Sequence, residues 1–583
     1  MAATLTASQE AALRAAHEIR YPFARPANGR TPEITPPSGR VPGRSPVVTP
    51  PPPQHVPGPR TLARPPAWIR AHQRLGWGLT PTARTEFQAL GPDDVTRWNA
   101  MVDQQLAWEQ IDDSEVETRL SNGGYTTLAK TLPQLWADHV ASNPDWSVRM
   151  RPAWEVQRSI VMRAVWSKRQ LRERLITFWH DHFNVRVNDY DAGPLFVHYH
   201  RNVIRGNALG NFRTMLEAVA RSTSMLFYLD NRSNTRSGPN ENFARELLEL
   251  HTFGAENYLG FMHPGEVPPC PEEPSLPIGY TDLDVYDTAA CFTGWSVNSG
   301  TGGDGTFRYI DGNHDTGPKF VLGLYILPSQ PPLKDGQDVM DRICRHPRVA
   351  KFICGKLIRH FAADDGIPQA LVDSAAAVFL AQRAAPDQLR QVLAHILKSE
   401  FVRESWGEKR RRPAEVTVAA LRAAGADWTL RFNSRGDEFM WRLGSTGHGP
   451  CDWASPNGYP DTARAWSGAN SFVTGWRMLY WLTNTDEADL RLLQIVEISR
   501  AAVPQWTARA LVEFWCGRLL GQLPPGNRLQ TLIGLMAQNG NPDTYVIADD
   551  NTWRGADLRG HYNHARLRTM VAMILMSPEF YLR

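Results

Sequence analysis

From residue 67 onward, apolar side chains recur three and four positions apart through most of the chain, and that spacing dictates a helical body. It runs through PPAWIRAHQRL, then through SKRQLRERLITFWHDHF, ENFARELLELHTF, QDVMDRICRHPRVAKFICGKLIRHFAA and PDQLRQVLAHILKSEFV. The sequence predicts one long helix over about 156 to 182, others near 194–206 and 211–228, and a fourth after Asn240. Asp93, behind the Gly91-Pro92 break, reads as a helix N-cap, and Thr281 reads as another.

Two kinds of segment interrupt this pattern. Residues 24 to 66 are punctuated by proline, which removes backbone donors and blocks helices, so residues 1–66 read as an arm or linker. Residues 255 to 340 are rich in Gly, Pro, Asp and Ser, with FRYIDGNHD predicted as a small β-hairpin. A third interruption, GSTGHGPCDWASPNGYPDTARAW, falls within the mainly helical span from 413 to 583. The phrases AHILKSEFVRE and VAMILMSPEFYLR echo one another, each an apolar helix closed by Ser and Glu-Phe. The expected fold is therefore mainly α: a large multi-helix assembly with long irregular loops and one small hairpin. The expected division is an arm (1–66), a helical core carrying the site (67–405) and a C-terminal helical lobe packed on it (406–583).

Charge narrows the function. Lys and Arg number 63 against 60 Asp and Glu, a near balance that argues against a dedicated nucleic-acid binder. The run Lys409-Arg410-Arg411-Arg412 before Pro413 reads as a solvated approach to a helix. The six cysteines include no C-x-x-C pair, against a zinc finger or a thioredoxin motif. No apolar run is long enough to span a membrane, and the N-terminus lacks a basic-then-apolar signal. The expectation is a cytoplasmic protein, with export by another route left open.

Three stretches can carry chemistry. In RERLITFWHDHFNVRV, steps of three and four put Arg163, Trp166, Gln170, Glu173, Thr177, His180 and Asn184 on one helix face. His182 follows the Leu171–Leu175–Phe178 face, about 200° round from His180 at ~3.6 residues per turn, so the two histidines cooperate only where the helix ends. In NENFARELLELHTFG, Glu246 and Glu249 share a face beside Arg245, and like charges three apart need a cation between them. His251 is out of phase with Glu249 unless the helix stops first. In GNHDTGPK, His314 and Asp315 sit in a Gly-bounded turn suited to holding a substrate, a metal or an Asx-turn.

Taken with LGWGLTP, YTDLDVYDTAACFTGW, HDTGPKFVLG, SEFVRE and ASPNGYPDTARAW, these phrases resemble, in order and spacing, the bacterial DUF1800 family from about residue 70 to 583. The resemblance implies a large, mostly helical bacterial protein. Many members are exported and are encoded beside a sulfatase-like partner family, which implies a protein partner of that kind. It carries no settled activity.

The residues themselves suggest a metal-dependent enzyme, most readily an oxidoreductase. Its metal ligands would be His180, His182, Glu246, Glu249 and His251, a His/carboxylate set that favours iron or copper and admits zinc. Glu173 would orient His180, and Arg245, His314 and Asp315 would act on an unidentified small-molecule or polymer substrate. Two alternatives stand beside it. One is a metal-free hydrolase or lyase acting on a saccharide-type substrate through paired carboxylates; the other is a non-catalytic scaffold.

Overall fold

The computed structural model describes residues 63–485, 492–554 and 557–583. The arm reading falls, as far as residue 62, outside them. Helices dominate, and the strands form three small antiparallel pairs among the described residues. The helices that build the site are α1 (Ala67–Leu75), α2 (Arg151–Trp166), α3 (Gln170–His182), α4 (Asn242–Glu249), α5 (Asp282–Cys291), α6 (Pro347–Phe361) and α7 (Pro413–Ala424). No described helix is long and apolar enough to cross a membrane.

Caps fall where side-chain chemistry dictates. Asp93 accepts from the backbone N–H groups of Val95 and Thr96, and Thr281 forms a capping box with Asp284 at the start of α5. The long helix expected over 156–182 is instead two, α2 and α3. Ser167 breaks it: its hydroxyl donates to Asp113 and accepts from the Arg169 N–H, while Gln170 Nε2 takes the carbonyls of Ala164 and Ser167. Side chains thus satisfy backbone groups that a continuous helix would have paired. The polar row from Arg163 to Asn184 therefore spans two helices and a coil. The 211–228 segment divides likewise at Ser222, whose hydroxyl accepts from Met225 N–H to start a second helix. The 194–206 segment winds mostly as a π-helix from Tyr199 to Arg205.

The strands are β1 (Pro269–Cys270) with β2 (Glu273–Pro277), β3 (Trp295–Val297) with β4 (Phe307–Tyr309), and β5 (Lys319–Val321) with β6 (Leu324–Ile326). FRYIDGNHD does not fold on itself. Its Phe-Arg-Tyr pairs upstream with Trp295–Val297, and Asp311–Asn313 turns as a 3₁₀ helix.

Burial collects into two hydrophobic clusters. One gathers side chains from Ala67 to Val402, together with Cys451. The other gathers Val416 to Tyr581 with Ile69, Trp77 and Val116. Helix α2 serves both, giving Ala153 and Val156 to the first and Val161, Met162, Ala164 and Val165 to the second. Each valine and methionine among them contributes about 1.5–3 kcal/mol when fully buried, so α2 ties the two clusters together. The echoed phrases share a shape: each apolar helix stops at a Ser–Glu-Phe turn, over Glu400–Glu404 and Pro578–Tyr581.

Candidate functional site

Helix α3 brings a row of titratable side chains into the interior, and its end decides where they point. The helix runs through His182, and Phe183 leaves helical conformation. His180 and His182 therefore face different neighbours. His180 Nε2 lies 2.9 Å from His200 Nδ1, with the rings stacked, and burial followed by the Arg205 charge pushes His180 down to about 3. His180 also lines a small enclosed cavity of about 50 Å³ with Asp181, His448, Cys451 and Tyr459. Glu173 does not orient His180. Burial pushes its carboxyl up, but a two-pronged pair with Arg205, 2.6 and 2.9 Å, outweighs that and holds it below the ordinary range.

His182 is built differently. Its Nε2 lies 3.0 Å from the His251 carbonyl oxygen, which accepts only, so Nε2 carries the hydrogen and Nδ1 presents a lone pair. That lone pair faces Lys356 Nζ of α6 at 3.0 Å. Burial first, and then the charges of Lys356 and His251, hold His182 well below the usual histidine range, so it is neutral. Burial also lowers Lys356, to about 8, with Asp461 and Asp181 partly offsetting the effect. Burial, not the imidazole, is what eases its deprotonation, since a hydrogen bond from the ammonium to a lone pair favours the charged form.

The turn after α4 completes this junction. The helix stops at Glu249, and Leu250 and His251 both donate their N–H to the Glu246 carbonyl oxygen. The early stop turns His251 inward, where its ring meets Phe183 and His182 at 5.1 and 6.1 Å between centroids. His251 is fully buried, and neither ring nitrogen has a hydrogen-bond partner among the described residues. The helices carrying the two principal motifs thus meet at His182 and His251. Glu246 stays part-exposed on the outer side. Burial and the neighbouring Glu249 charge raise its carboxyl to about 7, against the pull of Arg245. After burial and Asp189, Glu246 is among the carboxylates that raise the Tyr228 phenol, so it lies on the Tyr228 side of the junction.

The 447–461 loop closes over the end of α3. Asn184 Nδ2 donates to the carbonyls of Trp453 and Ser455, Tyr228 Oη donates to Ala454 O, and Val187 N donates to Cys451 O. Gly458 has φ +70°, and a Cβ there would lie 1.8 Å from the Asp181 carbonyl oxygen, so the close approach requires glycine. Asp181 pairs with Arg412 at 2.7 Å; burial nonetheless raises its carboxyl to about 6.

That pairing corrects the reading of Lys409–Arg412 as a solvated run. Lys409, Arg411 and Arg412 are buried. Lys409 bonds Asp364 and Asp461, Arg412 bonds Asp181 and Glu415, and Arg411 donates to Phe580 O. Buried cations persist where carboxylates and carbonyls match them, as these do. Arg174 is also buried and donates to Gly76 O.

The remaining predicted residues lie elsewhere in hydrogen-bonded networks. Arg245 pairs with Asp282 of α5 at 3.2 Å. His314 joins Thr293 O through Nδ1 and Asp335 through Nε2, and Asp335 also binds Lys319 at 2.6 Å. Asp315 accepts from Gly317 N–H, the turn-closing role. The five expected metal ligands therefore divide among the His180–His200 pair, the His182–Lys356–His251 junction and the Glu246–Glu249 face. The His182 lone pair is turned to a cation of the protein itself. Among the described residues no group of three or more His, Cys, Asp or Glu side chains is disposed to hold a metal ion.

Sequence reasoning missed Lys356 and His200. The one signal for Lys356 was its place one turn before His360, on the part-exposed side of a helix whose other side is buried and apolar. His200 lies in HYH, a stretch that reads as interfacial helix surface, and it is buried within a segment that winds as a π-helix.

Comparison with known proteins adds one finding. A family model described as "Protein of unknown function (DUF1800)" matches residues 70–582. No curated protein and no solved structure matches the chain.

Proposed function

The chain belongs to the DUF1800 family, and from that premise we propose that it is an acid–base enzyme, a hydrolase or lyase needing no metal ion, centred on the junction of α3, α4 and α6. The observation that carries this reading is the 3.0 Å contact between Lys356 Nζ and the lone pair of His182. Lys356, near 8, supplies the acid, and Glu246, near 7, supplies the base, so both hold the reactive protonation state between about pH 7 and 8. His182 orients the ammonium, and the His251 carbonyl fixes the His182 tautomer. The metal-dependent oxidoreductase reading, with iron, copper or zinc, has less support, because the five expected ligands face different partners.

Two measurements test the proposal. Amine labelling across pH, read by mass spectrometry, should show Lys356 titrating near pH 8; a midpoint above 10 overturns the acid role. Turnover screened on a saccharide panel should survive chelator and follow a bell-shaped pH profile whose limbs bracket 7 and 8. Activity that chelator abolishes and a transition metal restores would overturn the reading in favour of a metal enzyme.

A further inference from the structure

The LGWGLTP phrase, which the α3–α4–α6 junction does not use, lines a cleft of about 570 Å³ through Gly76, Gly78, Thr80 and Pro81. The cleft lies where the two hydrophobic clusters meet, with Met101 of the first and Leu421 of the second on its walls. Its size falls among those of small-ligand sites, roughly 300–1,000 Å³. Two of its side chains are buried and held at one end only. Arg422, in the last turn of α7 and 8% exposed, donates through Nη1 to the carbonyls of Ala164 and Val165 at the end of α2. Its Nε has no partner, no described group bonds Nη2, and no described carboxylate lies within 4.0 Å of the guanidinium. His72 of α1, 7% exposed, has Nδ1 2.8 Å from the Trp68 carbonyl oxygen, so Nδ1 carries the hydrogen and Nε2 presents a lone pair that no described group bonds. The Arg422 charge acts on His72, and the Glu86 charge acts on both, so the three side chains surround one space. Glu86 itself is exposed and accepts from Thr82 Oγ1.

We propose that this cleft binds a hydroxycarboxylate of sugar size, with its carboxylate on the free edge of Arg422 and a hydroxyl donating to His72 Nε2. The proposal goes beyond the acid–base reading and does not depend on it. Each part of the ligand follows from a group on the wall. The Nε–Nη2 edge of a guanidinium is a fork that matches a carboxylate. The imidazole lone pair needs a donor, and with a guanidinium beside it that donor is a neutral hydroxyl rather than a second cation. The charge of the ligand is set by Glu86. A monoanion meets one guanidinium and tolerates a carboxylate at the rim, whereas a dianion such as phosphate is repelled twice as strongly by it. Lys168 and Glu115 also border the cleft, the latter paired with Arg119, so they add little net charge. Buried polar atoms left without partners in the protein are uncommon, and here a donor and an acceptor of that kind open onto one cleft.

The test is a calorimetric titration of the full-length chain at pH 7 with D-glucuronate, D-glucose and inorganic phosphate. D-glucuronate should bind on the order of ten- to a hundred-fold more tightly than D-glucose, the worth of one charge-assisted hydrogen-bonded pair. Arg422→Gln should bring D-glucuronate down to the level of D-glucose. Glu86→Gln, a change at an exposed position, should tighten D-glucuronate several-fold and leave D-glucose unchanged. Amide exchange should slow over residues 76–80 when D-glucuronate is bound. D-glucuronate binding no more tightly than D-glucose overturns the site, as does an affinity that Arg422→Gln leaves intact or protection confined to other segments. Phosphate binding as tightly as D-glucuronate overturns the carboxylate class. Where Arg422→Gln fails to fold, Glu86→Gln decides, and an unchanged D-glucuronate affinity there overturns the proposal.

Discussion

Two lysine–histidine clusters in this molecule use the same residue types to opposite ends. Around β5, Lys319, His314 and Asp335 form a closed set: Asp335 bonds both Lys319 and His314, Lys319 also donates to the carbonyls of Asp315 and Gly317, and His314 has partners on both ring nitrogens. Burial pushes the Asp335 carboxyl up, but hydrogen bonds from His314 and Lys319 outweigh it and hold it below its ordinary range. At the α3–α4–α6 junction, Lys356 and His182 meet with no carboxylate between them among the described residues, and no described group bonds the ring nitrogens of His251 beside them. The first cluster fastens the 314–335 loops. The second leaves a cation and a lone pair poised, which is expensive for folding and useful for proton transfer. A central carboxylate makes the difference, and each prediction below breaks or sharpens it.

The largest effect should come from opening the closed cluster. Lys319→Met leaves Asp335 buried without its ammonium and should lower stability by about 3–5 kcal/mol, measured by urea unfolding at pH 7. A loss below 1 kcal/mol would show that the cluster is not a fastening. Next is Gly458→Ala, which forces a side chain against the Asp181 carbonyl at a positive φ. It should cost about 2–3 kcal/mol and release the 447–461 loop, seen as faster amide exchange at Val187, whose N–H bonds Cys451 O. Smaller, and opposite in sign, is Lys356→Met. Folding lowers this lysine from 10.5 to about 8, so the folded state binds its proton less tightly than the unfolded chain. The penalty is fully present below about pH 8 and gone above about pH 10.5. Replacing the lysine should therefore raise stability at pH 7 by on the order of 2 kcal/mol, with the gain fading as pH rises through that window. Destabilisation at pH 7 would put Lys356 in the same class as Lys319.

How far the sequence foretold this depends on whether a feature is local. The caps at Asp93 and Thr281 were legible because a cap is a relation among four consecutive residues. The helical character was legible from apolar spacing; the meeting of the two motif segments at His182 and His251 was an expectation that spacing alone could not establish. The break at Ser167 was not, because it depends on Asp113, fifty-four residues away. Burial of Lys409, Arg411 and Arg412 was illegible for the same reason, since Lys409 and Arg412 meet Asp364, Asp461 and Asp181 and Arg411 meets the Phe580 carbonyl, all distant in sequence. Periodicity separated His180 from His182 correctly, yet it could not supply their partners. His200 and Lys356 come from segments whose own patterns read as surface and core.

The finest test of the comparison concerns the hydrogen bond itself. His182→Phe keeps a ring of similar size beside Phe178 and Phe183 but removes the lone pair that holds the Lys356 ammonium. A hydrogen bond to a charged group contributes about 1.5–3 kcal/mol, so its loss disfavours the protonated lysine by roughly one to two pH units. The Lys356 midpoint should then fall below its present value of about 8, as followed by amine labelling across pH. At the closed cluster the corresponding change, His314→Phe, removes a partner of Asp335 and leaves Lys319 bonded to that carboxylate, so Lys319 labelling should not respond in the neutral range. A Lys356 midpoint that rises in His182→Phe would mean that the imidazole opposes the ammonium, and the orienting role assigned to His182 would be lost.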